Sequence, residues 1–387
     1  MRRTTTALGC VLAALLTVPA AGQNPKPSAG SADTSPVSVF QPVPDSGKFK
    51  ITPILAPAYN PEMQYLIAGG VLMSWKVGAN PLRVQRSTLS STLSLSSIGA
   101  VNVSMSLSSF WNEDRLRINV DFSLKDMDDN YWGVGYQAGL SPTKGDATTK
   151  YHRQWIKFNP RVVFAVAPHL LVGPTLELNH TIATGVSQEM AADPAYQQYG
   201  PENFNAGLGV VLQYDSRDVA ANAWRGTYAA ITATRYGGVL GGDNAYSTIL
   251  LDYRQYHPLG RPGRTLTWQV KSRLGLHGVP WPELSMLGTG YDLRGYVEGR
   301  FRDRSTLLGL VEYREMFTRS KGRLSRHGFV VWAGGGTLGP EPSRFHGFLP
   351  NGGVGYRLEI QPRANGRVDI GVGERSYGIY FNFNEAF

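Results

Sequence analysis

The chain has 387 residues and a net charge of +9, yet only 17% of its residues are charged and 45 are glycine. The Lys and Arg excess is scattered, without a basic tract or an aromatic-basic cluster, which excludes a nucleic-acid binder and suits attraction to anionic lipid headgroups. A single cysteine, Cys10, excludes a disulfide framework and a thiolate metal site.

Residues 1–22 have the layout of a removable signal peptide: basic Arg2 and Arg3, a short apolar core from Ala7 to Val18, and small-residue steps at Ala20 and Gly22. That core is too short for a membrane-spanning helix, and cleavage there removes Cys10; lipidation of Cys10 would leave almost no apolar core before it. Residues 23–47, rich in Pro, Ser, Ala and Gly, read as a flexible periplasmic linker. No later apolar stretch reaches the length of a membrane helix.

Residues 48–387 then repeat with a period of two. Leu116, Ile118, Val120, Phe122 and Leu124 alternate with Arg117, Asn119, Asp121, Ser123 and Lys125. Leu266, Trp268 and Val270 alternate likewise with Thr267, Gln269 and Lys271. So many polar residues on one strand face are costly in a sandwich core, but not against a watery lumen. The expected fold class is all-β: a transmembrane antiparallel barrel. Extended segments fall at 48–58, 64–76, 81–97, 100–110, 114–125, 131–140, 150–166, 170–183, 204–214, 225–236, 245–257, 264–277, 306–317, 325–336, 350–361, 366–373 and 376–384. Setting aside 48–58 as a lead-in, because of Pro53 and Pro57, leaves 16 strands, an even number as single-chain bacterial barrels require. The short connections 97–100, 167–169 and 258–263 then fall at one end, and the long ones 184–203 and 278–305 at the other.

The last segment places Tyr377, Ile379, Phe381 and Phe383 on one face, with Gly378, Tyr380, Asn382 and Asn384 on the other, before Phe387. This is the outline of a closing barrel strand, expected to pair with 64–76, where Gly69 and Gly70 would weaken the seam. A soluble edge strand is the alternative for this segment. The seven histidines show no metal-ligand spacing and no Gly-x-Ser-x-Gly motif occurs, so no enzyme, metal or cofactor is expected.

Four motifs carry a resemblance over residues 48–387. Arg294-Gly295-Tyr296 stands in the longest loop, between the eleventh and twelfth expected strands. Asp215, Arg217 and Asp218, followed by Gly226, form an Asp-x-Arg-Asp turn. Residues 129–135 hold an aromatic-Gly-x-Gly segment, and the apolar positions to Phe387 resemble the C-terminal signal read by assembly machinery. Jointly these resemble the BamA/TamA outer membrane assembly and translocation superfamily. The resemblance implies a sixth outer loop folded into the lumen, where buried Arg294 needs carboxylate partners. Glu312 is one candidate and Asp369 another; where the family carries an Asp in the next strand, this chain offers Ala333. It also implies outer-membrane protein or lipid insertion, translocation or envelope biogenesis, with outer-membrane lipids and the assembly machinery as partners. Residues 23–47 are too short for the family's client-docking POTRA domain, so the barrel would rely on a separate periplasmic or lipoprotein partner or act on lipid. A passive pore or structural envelope barrel is the alternative.

Overall fold

The computed structural model describes residues 47–60, 64–78, 84–141, 145, 147–319 and 322–387; the expected signal peptide and all of the expected linker but Gly47 lie outside the described residues. Sixteen antiparallel strands follow one another in chain order in a single sheet. They are β1 (Lys50–Asn60), β2 (Gln64–Trp75), β3 (Ser87–Ser96), β4 (Val101–Trp111), β5 (Leu116–Asn130), β6 (Lys150–Ala167), β7 (Leu170–Thr184) and β8 (Glu202–Asp215). Next come β9 (Gly226–Tyr236), β10 (Ser247–Pro258) and β11 (Arg264–Leu276). After the longest loop follow β14 (Ser305–Thr318), β15 (Leu324–Gly339), β16 (His346–Gln361), β17 (Ala364–Gly373) and β18 (Ser376–Phe383). Two short strands, β12 (Ser285–Leu287) and β13 (Phe301–Asp303), pair inside that loop.

The period of two decides what each strand shows to lipid and to the lumen. Val210, Leu212, Val311, Val354, Ile370 and Val372 face outward and are exposed. Their opposites, such as Gln213, Glu312, Arg357 and Asp369, point inward and are buried. Each large aliphatic side chain moved from water into lipid gains about 1.5–3 kcal/mol, so this outer face is stable only in a bilayer. No helix among the described residues is long and apolar enough to cross a membrane. The protein is a transmembrane β-barrel.

The sheet edges, β1 and β18, lie side by side. Gln361, at the foot of β16, bridges the closure from within: its Nε2 donates to Thr52 Oγ1 at 2.8 Å on β1 and to the Leu72 carbonyl at 3.0 Å on β2.

Two strand assignments change. Residues 50–60 are a true strand, paired with β2 from Lys50–Ser74 to Asn60–Gln64, despite Pro53 and Pro57. An edge strand tolerates missing N–H donors where a central one does not. Residues 131–140, conversely, are not a strand. Gly133 and Gly135 take φ of 90° and 100°, and a short helix α1 (Tyr136–Leu140) follows. The two changes cancel, so the strand count of 16 stands. The connection at 97–100 moves to the end of the long loops, leaving 167–169 and 258–263 at the other. The seam also moves: β18 meets β1, whereas β2, with Gly69 and Gly70, is laddered on both sides.

Candidate functional site

Loop 277–304 turns inward between β11 and β14. The β12–β13 ladder, Ser285–Asp303 to Leu287–Phe301, forms its stalk. Apolar Leu287, Leu293, Tyr296 and Phe301 pack against inward Leu308, Leu310, Trp332, Leu338 and Leu349 of the barrel wall. At the apex the Asp292 carboxylate accepts the N–H groups of Gly288 at 3.0 Å, Thr289 at 2.6 Å and Leu293 at 2.5 Å, which sets the turn. Burial pushes the Asp292 carboxyl above its ordinary range, against the pull of Lys271.

The apex presents Arg294, which has no exposed surface. Its Nη1 donates to Asp369 Oδ2 on β17 at 2.9 Å, and its Nη2 donates to Glu312 Oε1 on β14. The guanidinium lies over the Trp332 ring, 3.6 Å from the centroid. The Arg294 carbonyl accepts Asn351 Nδ2 at 2.5 Å, and Asn351 Oδ1 accepts Trp332 Nε1 at 3.0 Å. The Gly295 N–H donates to Tyr380 Oη at 2.9 Å, and Tyr296 Oη donates to the Pro350 carbonyl at 2.7 Å. Loop and wall meet backbone to backbone: a Cβ added at Gly371 would sit 2.2 Å from the Arg294 carbonyl oxygen.

The structure therefore brings Arg294, Glu312 and Asp369 together. The expected comparison at Ala333 fails on parity, since Ala333 faces outward and its inward neighbour Trp332 stacks on Arg294. Several participants were not foreseen. Asp369 also accepts Arg357 at 2.6 Å and Arg367 at 2.5 Å, and Glu312 accepts Arg314 at 2.9 Å. Glu385 accepts Arg357 at 2.8 Å and Asn365 at 2.7 Å. Burial pushes the Glu385 carboxyl up, but Arg357 and Arg314 outweigh it and hold it below the ordinary carboxylate range. Desolvating each of these ions costs several kcal/mol, so the cluster is stable only while every charge keeps its partners. Strand parity was the signal: Arg357, Arg367 and Asp369 all stand at inward positions.

Of the last expected motif, Tyr377 and Phe381 face outward and are exposed, and Ile379 shares their side. The Phe383 ring lies near Gly70 of β2, where an added Cβ would be 3.4 Å away. Phe387 does not continue the outward face. Asn384 takes a φ of 60°, which turns the chain inward, and Glu385, Ala386 and Phe387 are buried in the lumen. The Phe387 carbonyl oxygen accepts Arg314 Nη2 at 2.9 Å.

The expected Asp215 turn divides its carboxylates between different partners. Asp215 accepts Arg217 Nε at 2.9 Å and, from β5, Arg117 Nη1 at 2.5 Å. Asp218 Oδ1 caps the turn through the N–H of Val219 at 2.9 Å and of Trp224 at 3.0 Å. Gly226 is required, with φ of 107° and room for no Cβ beside the Ser216 carbonyl at 2.3 Å. In the 129–135 segment, Tyr131 packs edge-on to Trp281 of the sixth loop and Gly135 N–H donates to the Arg302 carbonyl at 2.8 Å. These contacts draw that segment over the loop instead of into the wall.

The profile of the Omp85 superfamily domain matches residues 84–387. The chain belongs to the Omp85 superfamily. Among solved structures, this Omp85 barrel is similar to BamA from Haemophilus ducreyi lacking POTRA domains 1–3, with a TM-score of 0.51 and 14% identity over 87% of this chain and 69% of that one. CdiB from Acinetobacter baumannii gives 0.52 and 12% over 87% and 65%, and CdiB from Escherichia coli 0.50 and 13% over 88% and 63%. The chain thus spans about two thirds of each neighbour's length, 63% to 69%. A comparison with curated proteins finds no match. As an Omp85 barrel the protein lies in the outer membrane. The described residues contain the barrel and its loops without a POTRA-like domain.

Proposed function

We propose that this Omp85 barrel is a non-enzymatic device of the BamA/TamA type, inserting or translocating protein or lipid at the outer membrane. The observation that carries the reading is Arg294, held inside the lumen by Glu312 and Asp369. A passive pore has no need to bury a guanidinium on a loop tip; a barrel whose wall must move without collapsing does. The weak place in the wall is the junction of β1 and β18. β18 is only 8 residues long, and β1 lacks two N–H donors at Pro53 and Pro57. The reading includes export through cleavage of residues 1–22, and client docking by a separate periplasmic or lipoprotein partner.

The test is reconstitution of the purified chain in vesicles, followed by addition of a urea-denatured eight-stranded outer-membrane barrel. Vesicles holding this chain should fold the client at least about tenfold faster than vesicles holding an unrelated barrel of equal mass, roughly 1.4 kcal/mol off the barrier. Arg294→Ala should abolish the difference. Equal folding rates, together with a large steady conductance, would establish the passive pore instead.

A further inference from the structure

The turn between β8 and β9, residues 216–225, touches the barrel at points far from its own strands. Gln85, just before β3, accepts the Ala220 N–H through Oε1 at 2.7 Å. Arg363, in the turn between β16 and β17, donates to Asp218 Oδ2 at 3.0 Å and to the Asn222 carbonyl through Nε at 3.2 Å and Nη2 at 2.6 Å. Its guanidinium also lies 3.5 Å from the Trp224 ring centroid. Both contacts lie six strands away round the sheet, in opposite directions. A segment tied to two such places as well as to its own strands has to cross the periplasmic mouth. Accordingly Asn222 and Ala223, although in a turn, are buried.

Behind this segment the described residues do not fill the lumen. The sixth loop leans on β14–β17 and reaches β5 through Glu298, which accepts Lys125 Nζ at 3.1 Å, whereas the inner face of β3 and β4 carries small hydroxyls such as Ser90, Thr92, Ser104 and Ser106. Ser106 and its partner Asp121 point inward and are still exposed, so the described residues leave the lumen open beside them. Arg363 itself is held at a φ of 57°, a left-handed conformation that a non-glycine residue keeps only when its surroundings impose it.

We propose that residues 216–225 form a bar closing the periplasmic mouth, and that Arg363 is its latch. Releasing the latch connects this open part of the lumen to the periplasm. Arg363 serves by shape as well as charge: a planar guanidinium can stack on Trp224 while it bridges Asp218 and Asn222, and a lysine ammonium cannot. The inference is independent of what the barrel carries.

The test is single-channel conductance of the full chain in planar bilayers, with Cys10→Ser so that introduced cysteines stand alone. Arg363→Ala and Arg363→Lys should each raise the open time about tenfold, while keeping the parent's heat-dependent shift on semi-native gels. Gln85→Cys with Ala220→Cys, oxidised to tie the bar down, should suppress openings until reductant is added. If Arg363→Ala conducts within twofold of the parent, Arg363 is not the latch. If Arg363→Ala does not fold, the cysteine pair decides, and unchanged openings in its oxidised form overturn the bar.

Discussion

Asp369→Asn should lower the stability of the folded barrel by about 4 kcal/mol, since removing one partner of a buried ion pair typically costs 3–5 kcal/mol. The reason is that Asp369 serves three guanidinium groups, Arg294, Arg357 and Arg367, at 2.9, 2.6 and 2.5 Å. An asparagine keeps one acceptor oxygen, but it loses the charge and turns an NH2 group towards donors. The three arginines would remain desolvated with less to balance them, and that orphaning is where most of the cost lies. The measurement is the urea midpoint in lipid vesicles, followed by tryptophan fluorescence. The control is Glu341→Gln. Glu341 pairs with Arg344 at 3.9 Å, with both side chains largely in solvent, and exposed pairs contribute only about 0–1 kcal/mol. A loss below about 1 kcal/mol for Asp369→Asn would show that the cluster is solvated and contributes little.

Gly371→Ala should displace the tip of the sixth loop while leaving the charges unchanged. The added Cβ would lie 2.2 Å from the Arg294 carbonyl oxygen and 2.5 Å from its carbon, both backbone atoms. Gly295, opposite, cannot retreat: its φ is 115°, and its own added Cβ would be 2.7 Å from the Gly371 backbone. Overpacking of this kind costs about 1–3 kcal/mol, and relief requires the loop to lift away from β17. The lifted loop should raise conductance and speed amide exchange at Gly295, whose N–H now donates to Tyr380. Gly309→Ala is the matched control, because the nearest atom to its added Cβ is 3.9 Å away. Equal exchange at Gly295 in both variants would mean that the close approach at Gly371 does not hold the loop.

Much of this was legible in the sequence, and the reasons are physical. Strands of a lipid-facing barrel must alternate, so Leu116–Lys125 and Tyr377–Phe383 declare both their faces. A buried arginine on a long loop must find carboxylates, and parity left Glu312 and Asp369 to supply them. Local pattern failed where tertiary contact overrides it. Tyr131 and Trp132 look like strand residues, but their segment packs over Trp281 of the sixth loop. Pro53 and Pro57 look like breakers, but they stand on an edge. The inward turn at Asn384 that buries Phe387, and the reach of Arg363 to Asp218, join positions that no local spacing relates.

The central claim is that Arg294 and its lumenal carboxylates act as one unit holding the sixth loop inside the barrel. A double-mutant cycle of Arg294→Ala and Glu312→Ala, read as vesicle unfolding free energies, tests it most directly. Contacting buried charges should show a coupling of about 2–3 kcal/mol, with the double variant much less damaged than the sum of the singles. Additive losses within about 0.5 kcal/mol would contradict the account, because they would mean that the two groups do not depend on each other.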